Sequence, residues 1–417
     1  MEKIIKVKFI DLKSQYLSIK REIDEAIQNV LNDSAFTLGS YVESFEKNFA
    51  EIHNAKYCTA LNSGTSALHA SMMALNIGSG DEVLVPVNTF FATPLSAILV
   101  GAKPVFIDCE SSYYNIDVEK IEKSINKNTK AIVPVHLYGQ PARMDKITDL
   151  AKKYGLFVIE DCAQAHLAEY SPRGINMTQN KCSYNRNSIP PGEPCGINEK
   201  ENKLNPMLNN IPLGKGSKVG TFGDIGCFSF YPGKNLGAYG EGGAILTNNE
   251  SLYRKIKVIR NIGMDERYHH DIIGHNFRME GIQGAILDIK LKYLEEWTII
   301  RRKNVDLYRQ LLENCDEIIL PSEMPGVKHV YHLFVIRAKK RNHLMNFLNK
   351  NGIETGLHYP IPCHLQNACK YLGYKTGDFP VAEKLADEIL SLPMSEQLKE
   401  HEIQYVCEKI KEFYTKS

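Results

Sequence analysis

Three short stretches carry side chains whose types and spacing could do chemistry together. Asn62-Ser63-Gly64-Thr65-Ser66 follows a short apolar run and opens a helical pattern over 67–75. Backbone N–H groups and the positive end of that helix would face whatever lies above, which makes a seat for a phosphate. A serine at a helix start also serves as a plain N-cap. Val158-Ile159-Glu160-Asp161-Cys162-Ala163-Gln164-Ala165-His166 sets a carboxylate, Asp161, at the end of an apolar run. An unpaired charge there is costly unless something cationic meets it, and a protonated pyridine nitrogen would. The structural alternative is a cap on the next helix. Phe228-Ser229-Phe230-Tyr231-Pro232-Gly233-Lys234-Asn235 places a lysine in a turn followed by Gly237, Gly240, Gly242 and Gly243. A lysine held among apolar groups can lose its proton and attack a carbonyl as an amine, whereas a solvated loop lysine stays charged. The Gly240-x-Gly242-Gly243 run precedes a strand rather than a helix, so it does not read as a dinucleotide-binding loop.

Regular elements must bring these stretches to one place. Short β-branched runs at 57–61, 82–87, 104–107, 131–135, 157–159, 227–230 and 244–247 alternate with longer helical stretches. That alternation predicts an α/β fold with a mostly parallel central sheet and helices on both faces. Ligands of such sheets lie beyond the carboxyl ends of the strands, where all three stretches fall. An amphipathic helix over 16–31 precedes the sheet, with Ile19, Ile23, Ile27, Val30 and Leu31 at helical spacing. Residues 171–217, rich in Asn and Pro, break the pattern as an inserted loop. From Gly281 one long helical pattern runs through Trp297, followed by strands near 331–336 and helices near 342–350 and 399–414. The expected organisation is a large domain over 1–280 containing the insertion, and a smaller α+β domain over 281–417.

Composition narrows the function classes. The chain has 417 residues, 50 Lys+Arg against 49 Asp+Glu, and 43% apolar residues, as in an ordinary soluble protein. Without a basic block it lacks the electrostatic footprint of a nucleic-acid binder. The first ten residues mix Glu2, Lys3, Lys6 and Lys8 among apolar side chains, and no run approaches the roughly 20 apolar residues of a membrane span. A cytoplasmic protein without a membrane partner is expected. Ten cysteines without CxxC pairs suit reduced thiols. Cys182 and Cys195 in the insertion are read as free rather than paired, and no metal site is expected.

In chain order, the phosphate seat, the carboxylate and the lysine answer the three anchors of pyridoxal 5′-phosphate: its phosphate, ring nitrogen and aldehyde. At this level the sequence resembles the DegT/DnrJ/EryC1/StrS family of sugar aminotransferases, of the aspartate aminotransferase superfamily (fold type I). The resemblance rests on Phe9-Ile10-Asp11-Leu12, Asn62-Ser63-Gly64-Thr65, Thr89-Phe90, Glu160-Asp161-Cys162-Ala163-Gln164-Ala165-His166, Gly223-Asp224-Ile225-Gly226-Cys227-Phe228-Ser229-Phe230 with Lys234-Asn235, Gly274-His275-Asn276-Phe277-Arg278-Met279, and His358-Tyr359-Pro360. It implies that Lys234 joins the cofactor's aldehyde and later moves the proton. Asp161 would keep the ring nitrogen protonated, Gln164 would reach the ring hydroxyl, and Phe90 would stack on the ring. Gly64, Thr65 and Ser229 would bind the phosphate, and Asn276 would reach the phosphate of a neighbouring subunit, so a homodimer with shared sites is expected.

The same resemblance implies an amino donor, glutamate, and a nucleotide-linked keto sugar as acceptor, in deoxyamino sugar and glycan biosynthesis. The segment 266–283, including His269-His270-Asp271 and His275, is more similar to members acting on 3-keto sugars. It is read as a substrate-side loop rather than a metal site, with a dTDP-3-keto-6-deoxyhexose as the expected acceptor. A 4-keto sugar, a UDP-3-keto sugar acid, and a non-catalytic regulatory protein of the same fold are the alternatives. Two features depart from the family pattern: Leu167 where glycine is usual, and the 171–217 insertion.

Overall fold

The computed structural model describes residues 5–171 and 216–416, so Cys182, Cys195 and nearly all of the insertion lie outside the described residues. Seven strands form the central sheet: β1 (Tyr57–Leu61), β2 (Glu82–Pro86), β3 (Lys103–Ile107), β4 (Thr129–Ile132), β5 (Phe157–Asp161), β6 (Ile225–Ser229) and β7 (Gly243–Thr247). Their order is β1-β7-β6-β5-β4-β2-β3. The five from β6 to β3 run parallel, while β7 is antiparallel to both β1 and β6. The expected mostly parallel sheet is present, with β7 as the exception.

Neighbouring residues of one strand enter different cores. Val83 and Val85 pack with Ile159 and Ile225 on one face, while Leu84 packs with Ile132 and Val158 on the other. Helices cover both faces, so the strands are buried on both sides and read as continuous apolar runs. Because β7 reverses between β1 and β6, the carboxyl ends of β1, β5 and β6 lie at the same edge. Asn62-Ser63-Gly64, Asp161 and Ser229 thereby gather there.

Two helical patterns are broken where one helix was expected. The opening pattern is split at Ile19 into helices Leu12–Ser18 and Lys20–Asn32. The later one is split into Gly281–Leu291 and Leu294–Leu312. Helix Gly281–Leu291 lies tightly on helix Ser40–His53: a Cβ on Gly284 would stand 2.9 Å from Val42 Cα. Ile19, Ile23, Ile286 and Trp297 join the opening helices to helices Gly281–Leu291 and Leu294–Leu312. A second core lies around the antiparallel strands Ile318–Ile319, Phe334–Ala338 and Ile389–Leu392, with helices Arg341–Lys350 and Glu400–Thr415. Val7, bridged to Ile353, adds the chain's first described residues to that core.

No described helix is long and apolar enough to cross a membrane. The eight described cysteines are free and buried.

Candidate active site

At the carboxyl edge of the sheet lies a cavity of about 690 Å³ lined by Gly64, Thr65, Phe90, Asp161, Gln164, Ser229 and Lys234. Seven of the eight residues singled out in the sequence thus converge. The eighth, Asn276, is exposed and does not line the cavity of its own chain. Its backbone carbonyl accepts from Asn62 Nδ2 at 3.3 Å, beside the start of the phosphate seat.

The seat is helix Gly64–Ala74, capped by Ser63, whose Oγ accepts from the Ser66 N–H at 3.0 Å. Glycine is required there by contact: a Cβ on Gly64 would stand 2.6 Å from Ser229 Cβ. A Cβ on Gly243 would likewise stand 2.2 Å from the Ser63 carbonyl oxygen. Backbone N–H groups at the helix start, with the hydroxyls of Thr65 and Ser229, form a donor-rich cradle without a carboxylate, which fits a phosphate.

Asp161, the last residue of β5, is buried. Its Oδ1 accepts the Ala163 N–H at 3.1 Å and its Oδ2 accepts the Thr93 hydroxyl at 2.8 Å. Burial raises its pKa, opposed by these two donors and by Lys234. No helix follows Asp161 before residue 169, so the contact with Ala163 closes a turn and is not the helix cap considered as the structural alternative, and Asp161 lines the cavity. Lys234 sits in a turn closed by its own N–H to the Tyr231 carbonyl at 2.8 Å. The turn is tight, since a Cβ on Gly237 would meet Pro232 O at 2.2 Å. Lys290 Nζ secures it by donating to the Gly237 carbonyl at 2.6 Å. Burial pushes the Lys234 ammonium down to about 8, against the pull of Asp161. A neutral amine is therefore within reach near physiological pH.

Gln164 has a defined orientation. Its Oε1 accepts the Tyr138 N–H at 2.6 Å, which leaves Nε2 as the donor facing the cavity, with Tyr359 Oη at 3.0 Å. Nε2 has a second hydrogen for a ring oxygen. Phe90 is exposed on the cavity wall, tilted 40° to Tyr359 with centroids 5.8 Å apart. An acceptor for a ring N–H, an amine for an aldehyde, a donor for a ring hydroxyl and an aromatic wall surround one space, a donor set that fits pyridoxal phosphate.

Several contributors were not picked out in the sequence. Thr93, in the first turn of helix Ala92–Leu99, meets the Thr89 hydroxyl from the segment before that helix, Oγ1 to Oγ1 at 2.9 Å. His332 lines the cavity and contacts Asn235 Oδ1 through Nδ1 at 3.3 Å. Burial, then Lys234, lowers its pKa. Glu160 accepts N–H groups from Gly220, Phe222 and Gly223, each at 2.8 Å, and lies 3.0 Å from His136 Nε2. His136 Nδ1 accepts the Ala142 N–H at 3.0 Å, so Nε2 carries the proton and donates to Glu160. This pair ties β5 to the turn that leads into β6. Cys162 lies near it, but with the Glu160 oxygens committed to donors the group is a structural clasp rather than a metal centre.

The His269-His270-Asp271 run and His275 do not line the cavity in their own chain. His270 Nδ1 lies 2.8 Å from the Ile262 carbonyl, and His275 stacks on Phe277. Leu167, where the family pattern has glycine, is buried with φ +63°. The backbone keeps the left-handed turn that glycine takes without cost.

A Lys-bearing turn, a strand-end carboxylate and a glycine-gated anion seat on an open α/β sheet define a fold of cofactor-dependent transferases. The DegT/DnrJ/EryC1/StrS aminotransferase family model matches residues 17–184 and 213–411, and the chain belongs to this family. It is similar to a "Pleiotropic regulatory protein" of Geobacillus stearothermophilus, at 42% identity over 410 residues, 98% of each chain. It is also similar to dTDP-3-amino-3,6-dideoxy-alpha-D-galactopyranose transaminase of Aneurinibacillus thermoaerophilus, 38% identical over 407 residues, 98% of this chain and 99% of the other. Among solved structures, DesV of S. venezuelae superposes with a TM-score of 0.86 at 34% identity, covering 98% of both chains. The protein is thus an aminotransferase.

Proposed function

We propose that the cavity binds pyridoxal 5′-phosphate and that the protein moves an amino group from glutamate to the keto carbon of a nucleotide-linked sugar. The observation that carries this reading is the convergence of Lys234, Asp161 and the Gly64–Ser229 cradle on one cavity. When bound, the cofactor supplies an electron sink for the carbon that loses a proton. The chain's own residues bind and orient. Asp161 offers an ionised oxygen to a ring N–H, and the helix start at Gly64 holds the phosphate. Lys234, whose ammonium burial makes easier to deprotonate, supplies the amine and then a base at Nζ. Asn276 is proposed to complete the seat of a second copy of the chain.

A dTDP-linked 3-keto-6-deoxyhexose is the acceptor we favour. The Aneurinibacillus relative, named for a 3-amino-3,6-dideoxy sugar, supports it. So does the charge of the cavity: its charged lining residues among those described are Asp161, Lys234 and Glu241. With Asp161 and Lys234 both committed to the cofactor, a sugar acid would meet the Glu241 carboxylate and no remaining cationic side chain of that lining. The regulatory name of the Geobacillus relative favours a second reading without turnover, which Lys234 in the cavity opposes.

Purified protein incubated with pyridoxal phosphate should show visible absorbance that changes on adding glutamate. A panel of dTDP-, UDP- and GDP-linked 3-keto and 4-keto sugars should then restore it for the true acceptor. Absorbance indifferent to glutamate, with no product from any sugar, would refute the enzyme reading. A 4-keto sugar or a sugar acid as the preferred acceptor would refute the favoured substrate alone.

A further inference from the structure

Asp161 is backed by two hydroxyls that extend from it to the cavity wall. Thr93, fully buried in the first turn of helix Ala92–Leu99, places Oγ1 2.8 Å from Asp161 Oδ2. Thr89 Oγ1 lies 2.9 Å behind Thr93 Oγ1, and Thr89 lines the cavity. An ionised carboxylate can only accept, so the Thr93 hydroxyl donates to Asp161 and its oxygen accepts the Thr89 hydroxyl. The direction of both bonds is thereby set by the charge on Asp161. The helix start is itself fixed, with the Thr93 N–H on the Phe90 carbonyl at 3.1 Å and the Ser96 hydroxyl on the Thr93 carbonyl at 2.7 Å. Each Asp161 oxygen then holds one protein donor, and a further lone pair remains for a ring N–H.

We infer that Thr93, oriented by Thr89, is a positioning residue that holds Asp161 ionised and aimed at the cofactor's ring nitrogen. This rests on the proposed cofactor reading. Without the Thr93 hydroxyl, Asp161 is a stronger base, and the proton between carboxylate and ring nitrogen moves toward the carboxylate. The nitrogen then loses charge and the electron sink weakens. A hydrogen bond to a charged group corresponds to about ten- to a hundredfold in such an equilibrium. The glutamate half-reaction should slow by about that factor.

The test uses full-length protein loaded with pyridoxal phosphate labelled at the ring nitrogen, read by nitrogen NMR without substrate. Single-turnover reaction with glutamate is measured beside it. In Thr93→Val the nitrogen signal should move toward that of a neutral pyridine and the half-reaction should slow. Thr93→Ser, which keeps the hydroxyl, should restore both, and Thr89→Val should give a smaller change in the same direction. If Thr93→Val does not fold, Thr89→Val decides in the same terms. A wild-type signal in every folded variant lacking one of these hydroxyls overturns this inference and leaves the proposed function standing. A wild-type protein whose bound cofactor has a neutral nitrogen, or which binds none, overturns both.

Discussion

Replacing Gly64 with alanine should damage cofactor binding without unfolding the protein. The new methyl would stand 2.6 Å from Ser229 Cβ and 3.1 Å from Ser229 Cα, where ordinary contact begins at 3.4 Å. One side must retreat by about 1 Å, and close packing decides which. Ser229 pairs in register with Gly243 of β7, and Gly243 itself lies against the Ser63 carbonyl. The strand is pinned, so the start of the helix moves, taking the Gly64 and Thr65 N–H groups with it. A displacement of about 1 Å stretches N–H···O bonds beyond their working range of roughly 3.2 Å. Losing two such bonds to a charged phosphate costs about 3 kcal/mol, roughly a hundredfold in affinity. Stability should fall by about 2 kcal/mol at most, since overpacking of about 1–3 kcal/mol is only partly offset by the gain of up to about 1 kcal/mol for alanine over glycine in a helix. The assay is titration of the cofactor-free variant with pyridoxal phosphate, with thermal melting alongside. A dissociation constant within about threefold of wild type in a folded variant would show that this helix start does not hold the phosphate.

Cofactor uptake by the cofactor-free protein should accelerate with pH and level off above about 8, because Lys234 must shed its proton before it attacks. A midpoint at the ordinary lysine value of 10.5 would contradict burial as the cause. The sign for stability follows: between about 8 and 10.5 the unfolded chain holds a proton that the native lysine has lost, so the cofactor-free fold gains stability as pH rises through this window. Leu167→Gly relieves a left-handed residue worth about 1–2 kcal/mol but removes a buried leucine worth about 2–5 kcal/mol. Denaturant unfolding should therefore show a net loss, and a more stable variant would refute that balance. Mixing differently tagged Lys234→Ala and Asn276→Asp chains under conditions of demonstrated exchange should regenerate one working site per mixed dimer. Exchange without returning activity would place Asn276 within its own chain's chemistry or outside it.

The central strands were legible because helices cover both sheet faces, so each strand is a continuous apolar run such as Val83-Leu84-Val85, with no alternation to blur against a helix. Their direction was not legible. β7 is as buried as its neighbours yet runs against both, and the link over 230–242 holds no helix of the kind that usually carries a parallel crossover. The break between Leu291 and Leu294 was hidden for a similar reason: apolar spacing continues through Trp297 on both sides of it, because both helices bury one face. Thr93 and Tyr138 escaped notice because their roles depend on atoms no spacing shows, a hydroxyl direction and a backbone N–H.

Two anchors of the site, the phosphate seat and the lysine turn, carry glycines, while Asp161 is readable from its place at the end of an apolar strand. Gly64 meets Ser229, Gly243 meets the Ser63 carbonyl and Gly237 meets the Pro232 carbonyl, each at a distance no side chain tolerates. The first two record contacts between the seat and the sheet, so a local sequence feature carries long-range information there, while the third records the tightness of the lysine turn itself. A glycine of this kind also stands beside Asn276, since a Cβ on Gly274 would meet Gly263 N at 2.1 Å. The Asn276 carbonyl is held by Asn62, but the residue is exposed and does not line its own cavity, so the packing at Gly274 records the fold of the loop and not a place in that cavity. A packed glycine therefore marks close folding of the chain, and it points to the site only where the side chain it meets also lines the cavity, as Ser229 does against Gly64.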